Sequence, residues 1–201
     1  MRVLACLVLA GCALTSRSKP PEYRYFTPER AERSTTRTPE EPRGELKIGR
    51  VSASEHLRFA IEHRDSPIEI APYHTLRWTE LPDSYVHHAL LRALFDERPL
   101  QQAVSGNVPT LDVDVTAFEE VRSTRPTGRV ALSYVLQNGS TVLLRGTIAI
   151  DRPAASADIE AVVAAIRAAM TAATSELADR VADAVEKLAP PGTEQQQAAS
   201  R

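Results

Sequence analysis

Five histidines, three aspartates at strand spacing and a scatter of serines are the residues of this 201-residue chain suited to catalysis or metal binding. His56, His63, His74, His87 and His88 are read as standing at neither i, i+4 nor zinc-finger spacing from another metal-type residue. His87 and His88 are adjacent, so on a helix they point about 100° apart and are poorly placed to share an ion. Asp112 and Asp114 fall on one face of a strand, and with Asp151 they would make a carboxylate cluster for metal or acid/base work. The plainer reading is the wet face of a half-covered sheet. Ser133 and Ser140 lie in no Gly-x-Ser-x-Gly elbow, and no glycine loop is built to cradle phosphate. No enzymatic activity, metal or cofactor is therefore expected. Tyr73, Arg77 and the single tryptophan, Trp78, are the remaining candidates. They read either as packing at an element junction or as an anchor for a partner, since Trp, Tyr and Arg are enriched in binding hot spots. The junction favours packing.

The elements around these residues follow from periodicity. Leu46, Ile48 and Val51 begin a folded domain at Gly44, and residues 58–64 and 68–73 form two extended pieces about the turn signal Asp65-Ser66-Pro67. A helix is expected over residues 82–96, with Pro82 in its first turn, Asp83 near the positive end of its dipole, and Val86, Leu90, Ala93 and Leu94 on one face. Pro99 closes it. Residues 110–121 alternate apolar with polar, as do 130–136 and 142–150, with Asn138-Gly139 suggesting a type I′ hairpin. A long amphipathic helix over residues 156–188 carries Ile159, Val163, Ile166, Met170, Leu177, Val181, Val185 and Leu188 on one side. Met170 is read as core. The fold class is α/β: one domain, residues 44–189, in which a mixed, mostly antiparallel sheet is packed by two main helices.

Upstream of that domain, residues 13–43 hold five prolines and few apolar residues, the composition of a flexible tether. Within it Tyr23-Arg24-Tyr25-Phe26 reads equally as an edge strand or as linker. Residues 190–201 read as a disordered tail. The apolar run from Val3 to Ala10 behind Arg2 is a short signal h-region, far below the roughly 20 residues a spanning helix needs. Leu9-Ala10-Gly11-Cys12 resembles the lipobox of bacterial lipoproteins. That resemblance implies a signal peptide over residues 1–11, cleavage before Cys12 and acylation of its thiol and new amino terminus. The alternative is a secreted protein whose signal ends at Cys12. Ala13 after the cysteine resembles the outer-membrane sorting pattern, facing the periplasm. Cys6 is lost with the signal, so the mature chain has no disulfide. A net charge of -2 and a pI near 6.2 leave no basic stripe, and no nucleic-acid partner is expected.

Over residues 44–188 the chain resembles the ABC-type transport auxiliary lipoproteins. The residues that carry this are Leu46-Lys47-Ile48-Gly49-Arg50-Val51, His56-Leu57-Arg58, Ile61 to Arg64, Ile68-Glu69-Ile70-Ala71 leading to Tyr73, Arg77-Trp78-Thr79-Glu80, and Val162-Val163-Ala164-Ala165-Ile166. The resemblance implies a mixed sheet with packed helices, like that of peptidoglycan-synthase activator and curli secretion lipoproteins. It also implies an auxiliary role beside an ABC permease, an ATPase and a periplasmic MCE-domain protein in moving lipids across the periplasm. The partners expected are that MCE-domain protein, the outer membrane through Cys12, and further copies of the chain. The rival expectation is a non-enzymatic activator of a cell-wall synthase.

Overall fold

The computed structural model describes residues 20–29 and 42–188; Cys12, the signal residues and residues 190–201 lie outside them. Along the chain run β1 (Arg24–Phe26), β2 (Glu45–Ala53), β3 (Ala60–Ser66), β4 (Glu69–Trp78), α1 (Pro82–Leu91), β5 (Gln101–Gln102), β6 (Thr110–Val121), β7 (Thr127–Asn138), β8 (Thr141–Pro153) and α2 (Ile159–Glu186). The strands make one mixed sheet with both helices packed on a single face, the α/β domain that the periodicity predicts.

β6 organises the sheet. Its alternation of Leu111, Val113 and Val115 with Asp112, Asp114 and Thr116 gives it one buried and one wetter face. One edge pairs antiparallel with β7, which pairs with β8. The other edge is shared: β2 runs parallel along Lys47–Ala53 against the first half, and β3 runs parallel against Glu119–Val121. β4 then pairs with β3, and β1 with β4. Thus the extended reading of Tyr23-Arg24-Tyr25-Phe26 holds for its last three residues, and the folded head begins upstream of Gly44.

On the covered face Leu111, Phe118, Leu132, Leu136 and Ile148 meet Ile166, Met170, Leu177 and Val181 of α2, all essentially buried, and Tyr85, Val86 and Leu90 of α1 complete the core. α2 crosses β7 so closely at Gly128 that a Cβ there would overlap backbone atoms of Ala165 and Ile166. The expected helix over residues 82–96 is α-helical only to Leu91; Arg92–Asp96 widen into a π turn. Arg98 ties that turn to α2, donating to Ala93 O at 2.6 Å, Ser175 O at 2.8 Å and Asp179 Oδ1 at 2.7 Å.

Two turns differ from the sequence reading. Asp65 and Ser66 continue β3, because the Asp65 carboxylate meets His63 and Arg122 and Ser66 pairs with Glu69, so the turn is Pro67-Ile68. Asn138 likewise ends β7 opposite Thr141. Gly139, at φ +58°, takes the first turn position, the glycine-first pattern of a II′ turn rather than I′.

Candidate functional site

Tyr73, Arg77 and Trp78 are near in sequence but enter three environments. Trp78 is 1 % exposed and sits edge-on to Phe118 at 5.3 Å and to Tyr85 at 6.2 Å, closing the core where β4 meets α1. Arg77 folds back on its own strand, donating to the carbonyls of Tyr73 at 2.8 Å, His74 at 3.0 Å and Leu76 at 3.0 Å, with its guanidinium 4.9 Å from the Tyr23 ring centre. Tyr73 donates its hydroxyl to Glu120 Oε2 and carries Arg122 4.8 Å above its ring. Burial, then the bond to Glu120, pushes the Tyr73 hydroxyl pKa up. His63 meets the same ring edge-on at 4.8 Å. This cluster holds a buried carboxylate, Glu120, at the end of the sheet.

The opposite, uncovered face holds a second polar cluster, built by strand register. Glu119, Arg129 and Asp151 stand in one row across β6, β7 and β8, beside a row of Ala117, Ala131 and Ala149. Small side chains next to long ones leave a depression of about 430 Å³ bounded by Arg64, Glu119, Arg129 and Asp151. Glu119 is fully buried and accepts from Arg64 Nε at 2.6 Å and Nη2 at 3.3 Å. Asp151 accepts from Arg129 at 2.7 Å through both oxygens, which lowers its carboxyl pKa. Glu62 lies opposite Glu119 with 5 % exposure, and its Oε2 accepts no hydrogen bond. Burial first, and then the charge of Glu119, pushes its pKa from 4.5 to about 7, against the opposing pull of Arg64. His56 Nε2 lies 3.7 Å from Glu62 Oε2.

Asp112, Asp114 and Asp151 form no carboxylate cluster, and the plainer reading of a wetter strand face holds for Asp112 and Asp114. Asp112 Oδ1 accepts the Arg50 backbone N–H at 2.7 Å, Asp114 accepts from Ser52 Oγ at 3.1 Å, and Asp151 belongs to Arg129 at the far end of the strands. His88 turns to Glu29 at 2.9 Å. Asp83 and His87, one helical turn apart, line a shallow depression with Gly49, Val51 and Ser84, so one histidine does stand at i, i+4 from a metal-type residue, a correction to the sequence reading. Among the described residues no three metal-type side chains converge.

The free margin of the sheet has a different character. Tyr23, Tyr25, Phe59, Arg77, Trp78 and Thr79 line an aromatic groove of about 330 Å³ where β1 is laid against β4. β1 is held there by Arg24 to Glu160 at 2.6 Å, and just beyond it Pro28 O accepts from Arg167 Nε at 2.7 Å.

The sequence model of the family described as the ABC-type transport auxiliary lipoprotein component matches residues 26–178, from the end of β1 through most of α2. The chain belongs to this family. Among solved structures, this auxiliary lipoprotein is similar to a Xanthomonas campestris protein of family DUF330, at 25 % identity and a TM-score of 0.69, over 82 % of this chain and 98 % of that one. An uncharacterized protein shares the fold at 12 % identity and a TM-score of 0.64, over 80 % and 99 % of the two chains. No curated protein matches the chain.

The polar clusters lie within one sheet, and apart from Glu62 Oε2 their carboxylates are ion-paired or hydrogen-bonded. The sequence pointed to Tyr73 and Asp151 but missed their partners: Glu120 and the Glu62–Arg64–Glu119 group join strands distant along the chain, while Arg129 faces Asp151 across the β7–β8 hairpin, whose exact register the alternation alone does not fix. The signal it did contain was Phe118-Glu119-Glu120, two consecutive charges at the end of an alternating strand, which necessarily point to opposite faces.

Proposed function

We propose that the chain is a membrane-anchored periplasmic lipoprotein, held by an acylated Cys12 on the inner face of the outer membrane, that docks an MCE-type ABC lipid transport system without catalysing a reaction itself. The observation that supports this most is the span of the family match: residues 26–178 take in nearly the whole head, and the lipobox-like Leu9-Ala10-Gly11-Cys12 stands just upstream of it. Ala13, in place of an aspartate, favours the outer membrane. Each buried methylene of an acyl chain contributes about 0.8 kcal/mol, so several chains on one cysteine hold a soluble head durably. A head restricted to a shell near the membrane meets a periplasmic partner at high effective concentration, so modest affinity suffices. Self-association into a ring would multiply that affinity in the same way.

Photo-crosslinking residues placed at Val104 and Val142, both exposed, test the reading in intact cells. The expected product joins this chain to the periplasmic MCE-domain protein, with a second product joining two copies of the chain. Reproducible crosslinks to a cell-wall synthase, and none to an MCE-domain protein, would replace the transport role with the activator role.

A further inference from the structure

Eight large apolar side chains stand exposed among the described residues. Five of them, Tyr23, Tyr25, Phe59, Ile68 and Ile70, lie on β1, on the β3–β4 hairpin or on the residue leading into it. Isolated exposed apolar residues are ordinary, but their gathering on one margin is not. Ile68 is 95 % exposed at the hairpin tip, and Tyr25 is 64 % exposed on the outermost strand. The other three, Val104, Val142 and Leu188, stand near the start of β6, the β7–β8 turn and the end of α2, which the topology places together at the opposite end of the sheet.

Strand direction shows which end the tether meets. β1 is parallel to β4 with Arg24 opposite Leu76, so the chain upstream of Arg24 leads back along β4 toward the Pro67-Ile68 tip. The Tyr23 ring stacks on Arg77, whose guanidinium is itself turned back onto the Tyr73 and His74 carbonyls, in agreement with that direction. From Leu76 to the start of β4 at Glu69 is at most roughly 23 Å at about 3.3 Å per residue, and shorter because β4 bulges between Pro72 and Arg77. Pro20 to Cys12 spans eight residues, at most about 29 Å at about 3.6 Å each. An anchor on so short a lead cannot hold this margin far from the bilayer.

We infer that the β1 and β3–β4 margin is a bilayer-contact surface, with Ile68 and Ile70 entering the boundary between headgroups and acyl chains and Tyr23 and Tyr25 resting at headgroup level. Tyrosine suits that level because its ring is apolar and its hydroxyl stays wet. The margin carries no excess of positive charge, since Arg24, Arg58 and Arg77 stand among Glu22, Glu55, Asp65, Glu69 and Glu80. The contact is therefore made by apolar insertion, and it does not depend on anionic lipid. The inference rests on acylation of Cys12. It fixes the orientation of the head and leaves the end with Val104 and Val142 facing away from the membrane.

The experiment uses the mature acylated protein, whose one cysteine is capped by lipid, so an introduced cysteine is the sole free thiol. Ile68→Cys, Tyr25→Cys and, as the far-end control, Val142→Cys are each labelled with an environment-sensitive fluorophore and reconstituted into phosphatidylethanolamine–phosphatidylglycerol vesicles, with and without spin-labelled lipid. All three positions are exposed, so each variant should melt like the parent. The expected result is blue-shifted emission and loss of most of the signal to the spin label at positions 68 and 25, unchanged in pure phosphatidylcholine vesicles, with a water-like spectrum at 142. If the protein floats with the vesicles but positions 68 and 25 stay as water-like as 142, the orientation is wrong and the lipoprotein reading stands. If the protein does not float, the acylation reading falls and takes this inference with it.

Discussion

At the scale of single residues, the carboxylates at the end of β6 set the stability balance of the open face. Arg64 spends its fork on Glu119, which leaves Glu62, opposite it and 5 % exposed, without a full counter-charge. Its pKa rises from 4.5 to about 7, so the folded state holds a proton that the unfolded state releases between those values. The stabilisation is present below about pH 4.5 and is lost as pH climbs through about 7. At about 1.4 kcal/mol per pKa unit the effect is about 3 kcal/mol. Glu62→Gln, which keeps the shape and removes the titration, should flatten the fall in melting temperature over that range and raise stability above pH 7. Thermal melts of both proteins across the range decide it, and an equal or steeper fall in the variant would show that Glu62 stays ionised. None of this was legible beforehand, since Glu62 and Glu119 are distant in sequence and only strand register brings them together. What was legible at this scale was chemistry tied to one element: the packing of Trp78 and Met170 and the wet face carrying Asp112 and Asp114.

At the scale of elements, alternation and helical spacing located the long strands and both helices because each buries one face, and burial writes a period into the sequence. The misplaced features are those where a contact distant along the chain overrides local preference. Asp65-Ser66-Pro67 has turn chemistry, yet His63 and Arg122 keep Asp65 in β3; the helical pattern continues to Asp96, yet Arg98 reaching α2 goes with a π turn. Gly128 carries no turn and no positive φ, and nothing near it in the sequence explains a glycine in mid-strand. The reason is α2, whose backbone at Ala165 and Ile166 occupies the space a Cβ would need. Gly128→Ala should push α2 off β7 and lower stability by about 1–3 kcal/mol, because packed interiors absorb added volume poorly. Denaturant unfolding measures this, and a variant as stable as the parent would mean that α2 shifts without cost.

At the scale of the whole molecule, the proposed function is divided between a head that packs and an acylated Cys12 that anchors. α2 is long and apolar enough to cross a membrane, but 56 % of its most apolar stretch is buried inside the protein, and its apolar face is already committed to the core. The margin carrying Ile68 and Tyr25 offers a few side chains to a bilayer, far less than the several acyl chains a lipoprotein cysteine carries at about 0.8 kcal/mol per methylene. Removal of the acylation site should therefore release the protein entirely, while the head, whose core lies within residues 46–185, folds as before. Cys12→Ser is the change that separates the two. Fractionation of cells after a high-pH wash should move the variant from the membrane pellet to the soluble fraction, and its melting temperature should match that of the parent. Retention in the pellet would mean that something other than lipid on Cys12 holds the chain, and the lipoprotein reading of Leu9-Ala10-Gly11-Cys12 would fall. A soluble variant that still crosslinks to its partner in a purified mixture, but no longer in cells, would show that the anchor contributes through proximity and not through the binding surface.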